Sequence, residues 1–280
     1  MLVTGPTSGL GRQATDELAA LGARIVLVGR SEERLAEVRD ELVARHGEDR
    51  YPMVVADMGS LDSVHAAVER VLATEERLDV VIDNAGAIFP EWSEGPDGIE
   101  STLAVLVVGP FALVAGLLPL LRRTGGARVL AVTSGGMYTQ PLHLDDLEWR
   151  HEVYSGTRAY ARAKRAQVSL IREWARRPTG DVTFTAMHPG WADTPGLSAS
   201  LPGFSGLMRP ILRSPSEGVD SLIWLATRPT GPGLNGALVH DRRSRPFDRI
   251  PTTRVSPAGR RELWRRVVSL AKIEDPAPER

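Results

Sequence analysis

The sequence predicts a single-domain α/β protein built on a doubly wound, seven-stranded parallel sheet with helices on both faces. Short apolar runs alternate with segments of helical periodicity along most of the chain, which is typical of parallel strands joined by helices. A glycine-rich turn follows the first apolar run and begins a helix. The 280 residues, of which 42% are hydrophobic and 25% charged, are enough for one large domain with its own core.

The apolar runs predict strands at residues 1–3, 24–29, 51–55, 80–83, 128–133, 183–188 and 237–240. The periodic segments predict helices at residues 11–21, 32–46, 61–75, 99–121, 158–177 and 215–226. This uninterrupted rhythm predicts one Rossmann domain over residues 1–245. Residues 246–280 are predicted to form an Arg/Pro-rich C-terminal extension with a helix at residues 256–272, begun by a Ser-Pro pair. The first strand is short, so we expect a few residues upstream of it.

The composition excludes several classes of protein. The chain has 34 Lys+Arg against 35 Asp+Glu, and its formal net charge of −1 argues against a nucleic-acid binder. Cysteine is absent, which excludes disulfides and thiolate nucleophiles, and the scattered histidines predict no metal site. Redox chemistry must therefore come from a bound cofactor. Only two of the basic residues, Lys164 and Lys272, are lysines.

Residues 103–121 are uncharged and long enough to span a bilayer. The segment contains two glycines and two prolines, and Pro110 is expected to interrupt a helix. We therefore predict a buried core helix and no transmembrane span, with membrane association as the alternative. No signal-peptide pattern follows Met1, which predicts a cytoplasmic protein.

The glycine-rich turn has the pattern TGxxxGxG between residues 4 and 11. Glycines there permit a tight turn and bring backbone N–H groups close to a pyrophosphate at the positive end of the following helix. The residues predicted to contact these phosphates are Gly5, Thr7, Ser8, Gly9, Leu10 and Gly11. The alternative is an ordinary β–α turn without a ligand.

The end of the second predicted strand distinguishes two nicotinamide cofactors. An acidic residue at this place binds the ribose 2′-hydroxyl of NAD, whereas an arginine accommodates the 2′-phosphate of NADP. The chain has Arg30 there, which predicts NADP(H) in preference to NAD(H). A surface arginine without a ligand is the alternative.

Tyr160 and Lys164 lie four residues apart in a predicted helix, so their side chains share one face. A tyrosine with a pKa of about 10 exchanges protons poorly at neutral pH unless its phenolate is stabilised. A neighbouring ammonium favours the phenolate, and lowering the pKa by about three units corresponds to 4 kcal/mol. The pair therefore indicates an acid–base centre, with a solvent-facing pair as the alternative. In a chain that otherwise uses arginine, a lysine here supports a role that a guanidinium does not fill.

Several motifs occur together in the order typical of one enzyme family. They are TGxxxGxG, Asp57-Met58, Asp83-Asn84-Ala85-Gly86, Ser134, the Tyr160/Lys164 pair and Pro189-Gly190. In these motifs the chain resembles the short-chain dehydrogenase/reductase family over residues 1–245. The runs at residues 133–138, 160–167 and 187–196 resemble its twelfth-member branch.

The resemblance implies hydride transfer between NADP(H) and a carbonyl or alcohol. It implies that Tyr160 is the general acid/base, that Lys164 lowers the pKa of Tyr160 and binds the nicotinamide ribose, and that Ser134 orients the substrate oxygen. Further cofactor contacts implied by the resemblance are Asp57, Met58, Asn84, Ala85, Gly86, Pro189, Gly190 and Thr194. Asn84 and Gly86 alternatively serve only the end of their strand.

One position departs from the family. The helix after the fourth strand there carries an asparagine that completes a tetrad with Ser134, Tyr160 and Lys164, and here the position is Leu106. Leucine cannot hydrogen-bond a relay water. We therefore expect a proton relay that is weakened or rerouted, with slower turnover and unchanged cofactor binding. The departure also favours a competing hypothesis, a non-catalytic NADP-binding sensor or interaction protein.

The family's substrate cleft is bounded by segments that here cover residues 137–157 and 195–215. Their apolar side chains suggest a lipophilic carbonyl or alcohol, and the alternative is that they pack a lid. These side chains are Tyr138, Trp149, Tyr154, Leu197, Leu201, Phe204, Leu207 and Met208. The resemblance also implies a homodimer through the helices at residues 103–121 and 158–177.

Overall fold

The chain is built around one sheet. The structure is a computed structural model that describes residues 1–47, 50–191, 212–228 and 232–279. The strands are Leu2–Thr4 (β1), Val26–Gly29 (β2), Met53–Val55 (β3), Val80–Asp83 (β4), Arg128–Val132 (β5), Thr183–Met187 (β6), Leu238–His240 (β7) and Arg243–Arg245 (β8). Their spatial order is β3-β2-β1-β4-β5-β6-β7-β8.

Helices cover both faces of the sheet. They are Gly9–Ala20 (α1), Glu32–His46 (α2), Leu61–Thr74 (α3), Ser101–Thr124 (α4), Gly156–Trp174 (α5), Pro215–Thr227 (α6) and Pro257–Leu270 (α7). One apolar core lies between the sheet and helices α3, α4, α5 and α7, and the other lies between the sheet and helices α1, α2 and α6. This double layer is the predicted Rossmann architecture.

The topology reverses beside β1. Strands β1, β2 and β3 extend in one direction, and β4 pairs with the other side of β1, so Val3 is in register with Leu27 and with Ile82. At such a switch point a crevice opens outside the carboxyl ends of the strands, and ligands of doubly wound sheets bind there. The glycine-rich turn and the ends of β1 and β4 lie at this point.

The sheet has eight strands instead of the seven predicted. β8 pairs antiparallel with β7 through a turn in which Asp241 and Arg242 have φ of 53° and 55°. Two consecutive left-handed residues form the type of turn that matches the twist of a hairpin. The Arg-Ser-Arg sequence of β8 has no apolar residue, so its pattern does not predict a strand. An ion pair between Arg242 and Asp220 of α6 holds the hairpin against the domain.

Helix α4 continues through Pro110, contrary to the expected interruption. Residues Ala104–Val108 form a π turn, in which the Gly109 N–H donates to the oxygen of Ala104, five residues earlier. In an ordinary α-helical turn the ring of Pro110 would clash with the preceding turn, and proline has no N–H group to donate. The π turn widens the helix directly before Pro110.

Among the residues the structure describes, α4 is the single helix that is long and apolar enough to cross a membrane. The apolar window is 78% buried inside the protein, where it packs in the same core as α3 and α5. The prediction of a buried core helix is therefore confirmed.

The C-terminal extension packs on the domain through α7. Trp264 is fully buried, with its ring centroid 4.9 Å from that of Phe111 in α4 and 4.6 Å from that of Trp174 in α5. Buried Arg260 forms an ion pair with buried Glu173 at 3.1 Å. The extension therefore packs against both helices through which the resemblance implies a homodimer, and the homodimer remains a prediction.

Candidate active site

The glycine-rich turn connects β1 to α1 at the switch point. Gly5 and Gly9 have φ of +67° and +54°, a left-handed backbone that favours glycine. A Cβ on Gly11 would lie 2.1 Å from the oxygen of Gly5 and 2.3 Å from Nδ2 of Asn84, so a side chain there would push the turn apart. The glycines thus permit the turn that the sequence pattern predicts.

The N-terminus of α1 has no side-chain cap among the described residues. Its N-cap residue, Ser8, makes no capping hydrogen bond, and the first turn carries no acidic residue. Helices α2, α3, α6 and α7, by contrast, are each capped by a serine side chain. The first N–H groups of α1 are therefore available to an anion. The predicted phosphate contacts Gly5, Thr7, Ser8, Gly9, Leu10 and Gly11 surround them.

Thr4, a residue that the sequence reasoning missed, ties the turn to β4. Its Oγ1 accepts hydrogen bonds from the backbone N–H groups of Asn84 at 3.0 Å and Ala85 at 2.9 Å. The Asn84 side chain in turn donates to the oxygens of Thr4 at 3.0 Å and Gly5 at 3.2 Å. Asn84 therefore supports the turn, and its contact with the cofactor remains a prediction. The available signal was the position of Thr4 as the last residue of β1.

The predicted cofactor contacts that follow β2 and β3 divide into two groups. Arg30 is exposed directly after β2 and makes no hydrogen bond or ion pair with any described residue. Asp57 is exposed after β3 and accepts a hydrogen bond from the N–H of Gly59 at 2.8 Å. Met58 is buried, and its oxygen would lie 2.0 Å from a Cβ on Gly109 of α4. Arg30 and Asp57 thus expose charges at the strand ends, whereas the Met58 side chain belongs to the core.

Ser134 and Tyr160 come together at the carboxyl end of β5. Both residues are half-buried, and the Ser134 side chain is close enough to the Tyr160 hydroxyl to affect its ionisation. Burial raises the pKa of Tyr160 to about 12, and the Ser134 side chain acts in the opposite direction. The phenol is therefore protonated at neutral pH, which is the form that donates a proton to a carbonyl oxygen.

Lys164 lies one helical turn after Tyr160 and is buried. Its ammonium is 5.7 Å from the centre of the Tyr160 ring and donates to the oxygen of Val132 at 2.7 Å and to Oε1 of Gln167 at 3.2 Å. Burial lowers the pKa of Lys164 to about 8, against the attraction of Asp83. The implied lowering of the Tyr160 pKa is not seen in this structure, because burial dominates at Tyr160 and the ammonium is bonded elsewhere.

Asp83 and Gln167 are further residues of the site that the sequence reasoning did not select. Nε2 of Gln167 donates to Oδ2 of Asp83 at 2.7 Å, so the amide connects the carboxylate to Lys164. Burial raises the pKa of Asp83 to about 6, while Lys164 and Gln167 act to lower it. The available signal was an acidic residue that ends an otherwise apolar strand, since a buried carboxylate needs a partner.

Leu106 lies in the π turn of α4 and is fully buried. A Cβ on Gly86 would lie 2.7 Å from its Cδ2, so the leucine requires a residue without a side chain at that position. Leu106 also lines a cavity of about 30 Å³ together with Asp83 and Gln167. The position that departs from the family is therefore beside the buried amide and carboxylate.

The predicted cofactor contacts Pro189 and Gly190 follow β6. Gly190 has a φ of +78°, and a Cβ on it would lie 3.0 Å from Nε of Arg213, whose guanidinium is paired with Asp241 at 2.5 Å. Buried Pro189 precedes it. Thr194 lies outside the described residues, as do the predicted pocket residues Leu197, Leu201, Phe204, Leu207 and Met208.

The three other predicted pocket residues pack against the domain. The Tyr138 hydroxyl donates to the oxygen of Pro246 at 2.9 Å, and that of Tyr154 is hydrogen-bonded to Thr102 at 2.8 Å. Trp149 is buried, with its ring centroid 5.5 Å from that of Tyr154. These contacts support the alternative in which this segment packs as a lid. Within the described ranges, no group of three or more His, Asp or Glu residues is arranged to hold a metal ion.

Comparisons with known proteins give the same architecture. The model of the family described as short chain dehydrogenase matches residues 1–144. Dehydrogenase/reductase SDR family member 12 from Bos taurus is 34% identical over 274 residues, which cover 97% of this chain and 86% of that protein. Retinol dehydrogenase 14 from Homo sapiens is 33% identical over 262 residues, which cover 86% of this chain and 77% of that protein.

A solved structure has the same fold. L-Sorbose reductase from Gluconobacter frateurii, complexed with NADPH and L-sorbose, has a TM-score of 0.67 at 22% identity, over 85% of this chain and 92% of that chain. At this identity the likeness shows the fold alone. The family match and the curated relatives show more: this chain belongs to the short-chain dehydrogenase/reductase family, and it is similar to family member 12 over most of its length.

Proposed function

We propose that the protein is an NADP(H)-dependent oxidoreductase that transfers a hydride between the nicotinamide and a lipophilic carbonyl or alcohol. The observation that carries the proposal is the placement of the Ser134 side chain beside the Tyr160 hydroxyl, with the Lys164 ammonium one helical turn away. These groups lie at the edge of the sheet where α1 begins, without a side-chain cap from any described residue. A protein that only bound a dinucleotide would have no use for the acid–base pair.

The described residues fit an NADP(H) cofactor. The uncapped N–H groups of α1 fit a pyrophosphate, and the glycines leave room for its close approach. Arg30 offers the 2′-phosphate a guanidinium that has no partner among the described residues. L-Sorbose reductase, which shares the fold, holds NADPH in its structure.

The residues around Tyr160 supply the acid–base chemistry. The bound nicotinamide would supply the hydride in reduction and accept it in oxidation. Tyr160 donates its proton to the carbonyl oxygen as negative charge develops there, and Ser134 hydrogen-bonds the same oxygen and orients it. Lys164 stabilises the phenolate that remains. An ammonium has three donors, of which Val132 and Gln167 use two, so one remains for the cofactor ribose.

The lipophilic nature of the substrate is proposed from the relatives and the sequence. Human retinol dehydrogenase 14 has a long apolar alcohol in its name. The predicted pocket segment at residues 195–215 also carries apolar side chains. The residues Tyr138, Trp149 and Tyr154 do not contribute to this argument, because they pack against the domain.

The test is reduction of a panel of lipophilic aldehydes and ketones by the protein with NADPH. Turnover that is lost in Tyr160→Phe while NADPH binding is kept supports the proposal. A second candidate function, a non-catalytic NADP-binding sensor, is favoured by Leu106 at the tetrad position. Tight NADPH binding without turnover across the panel would support that candidate instead.

We also propose a cytoplasmic location. The apolar window of α4 is mostly buried, which leaves little of it to enter a bilayer. Cell fractionation without detergent tests this, and recovery of the protein with the membrane pellet would contradict it.

A further inference from the structure

A buried row of polar groups extends from Lys164 to the end of β4. The ammonium donates to Oε1 of Gln167 at 3.2 Å, and Nε2 of Gln167 donates to Oδ2 of Asp83 at 2.7 Å. The relative exposures of Lys164, Gln167 and Asp83 are 3%, 5% and 5%, so water does not screen these contacts. The other carboxylate oxygen of Asp83 has no hydrogen-bond partner among the described residues.

The space beside this row is where α4 presents Leu106. Leu106, Asp83 and Gln167 line the same cavity of about 30 Å³. Since α4 offers no hydrogen-bonding side chain here, the polar partners of Lys164 come from its own helix, α5, from the end of β4 and from the backbone of β5.

We propose that Gln167 and Asp83 are positioning residues for Lys164, in which the amide holds the ammonium in place and the carboxylate balances its charge. This inference rests on the proposed function. In this proposal Asp83 of β4 and Gln167 of α5 provide the polar support for Lys164 that Leu106 does not provide. A buried ammonium without a counter-charge loses its proton readily, so the carboxylate keeps Lys164 in the charged form that stabilises a phenolate.

Asp83 is the residue that balances the positive charge of Lys164. Among the described residues, the titratable groups that face Lys164 are Asp83 from β4 and Tyr160 from its own helix. Helix α4 presents Leu106 and β5 presents the Val132 carbonyl, neither of which titrates. A purely structural role would be met better by apolar residues of similar volume, because burying two charges costs stability.

The two lysines of the chain allow a test that does not depend on turnover. Lysine labelled with 13C at Cε gives two side-chain NMR signals, from Lys164 and Lys272, which Lys272→Arg assigns. Asp83→Asn keeps an oxygen for the Gln167 amide and removes the charge. We expect it to move the titration midpoint of Lys164 to lower pH by about one unit or more and to leave that of Lys272 unchanged. An unchanged Lys164 midpoint would overturn the proposal.

The second test separates positioning from packing. Gln167→Met keeps the length of the side chain and removes the amide, and we expect kcat for carbonyl reduction to fall about 10- to 100-fold, by a larger factor than the Kd of NADPH rises. The matched control is Ser169→Ala on the same helix, and we expect its kcat to be unchanged. Among the residues that the structure describes, the Ser169 hydroxyl donates only to the oxygen of Arg165. A loss of stability in Gln167→Met without a loss of kcat would show a structural role and overturn the proposal.

Leu106→Asn tests whether Gln167 and Asp83 have taken over the support of Lys164 from the position of Leu106. We expect the single variant to change kcat less than about twofold and to recover part of the lost kcat in the Gln167→Met background. A several-fold gain in the single variant would mean that the relay is weakened instead, which contradicts the proposal. If the wild-type protein reduces no carbonyl, the proposed function fails, and the NMR midpoint of Lys164 still decides this inference.

Discussion

The side chain of Asn84 donates hydrogen bonds to the backbone oxygens of Thr4 at 3.0 Å and Gly5 at 3.2 Å. The Thr4 hydroxyl oxygen in turn accepts a hydrogen bond from the backbone N–H of Asn84. The end of β4 therefore holds the start of the glycine-rich turn on the neighbouring strand. Cofactor binding is expected to depend on Asn84 through the shape of this turn.

We expect Asn84→Ala to raise the Kd for NADPH about tenfold, because two hydrogen bonds of roughly 1 kcal/mol each are lost and two carbonyls are left without them. Fluorescence titration with NADPH measures the change. Thr139→Ala is the control, since its hydroxyl donates to the oxygen of Gly136 outside the turn. An Asn84→Ala variant with the wild-type Kd would mean that the turn keeps its shape without this support.

Arg30 is expected to determine the choice between cofactors. A charge-assisted contact to the 2′-phosphate is worth about 1.5–3 kcal/mol, so we expect Arg30→Ser to weaken NADPH about 10- to 100-fold and to leave NADH nearly unchanged. Kd values for both cofactors check this. Arg243→Ser, an exposed arginine on β8, is the matched control. Equal weakening of NADPH and NADH would refute the assignment of Arg30.

The pKa values at the site predict an alkaline limit to activity. Lys164 has a pKa lowered to about 8 and loses its charge as the pH rises through that value, whereas Tyr160, with a pKa of about 12, stays protonated. We therefore expect kcat/KM for NADPH, which reports the free enzyme, to fall about tenfold per pH unit above pH 8. Protonation of Asp83 below about pH 6 leaves the ammonium charged, so the acid side should be shallower. A profile that stays flat to about pH 10 would contradict the role of Lys164.

Trp264 is expected to make the C-terminal extension part of one cooperative unit. Its fully buried ring packs against Phe111 and Trp174 and lies under the guanidinium of Arg177, 3.9 Å from the ring centroid. We expect Trp264→Ala to lower the free energy of unfolding by about 3–5 kcal/mol, and Trp264→Phe to cost less because it leaves a smaller cavity. Chemical denaturation measures both variants. Separate melting of the extension, with the domain unaffected, would contradict this expectation.

Local patterns predicted most of the fold and part of the site. The alternation of apolar runs and helices predicted β1 to β7, because strands covered on both faces are apolar throughout. The same reasoning could not find β8, whose strand depends on a left-handed turn at Asp241 and Arg242. Nor could it find the π turn that carries α4 through Pro110, since side-chain periodicity does not encode that hydrogen-bond shift.

The residues of the site also divide into those that the sequence predicted and those that it could not predict. Tyr160, Lys164 and the glycines of the turn occur at short, fixed spacings, so their relation can be read along the chain. The contact between Gln167 and Asp83 joins residues 84 positions apart, and that between Thr4 and Asn84 joins residues 80 positions apart. Such pairs arise only when β4 is placed beside β1 and α5 packs over it, which the spacing of residues does not show.

The most direct measurement of the central claim is the rate of NADPH oxidation with a lipophilic aldehyde or ketone, compared between the wild-type protein and Tyr160→Phe. The variant keeps the ring and removes the proton donor, and general acid catalysis contributes about 10²- to 10⁴-fold to the rate. We predict a loss of that size in kcat with the Kd of NADPH unchanged. Turnover in Tyr160→Phe equal to that of the wild-type protein would contradict the assignment of Tyr160 as the general acid/base.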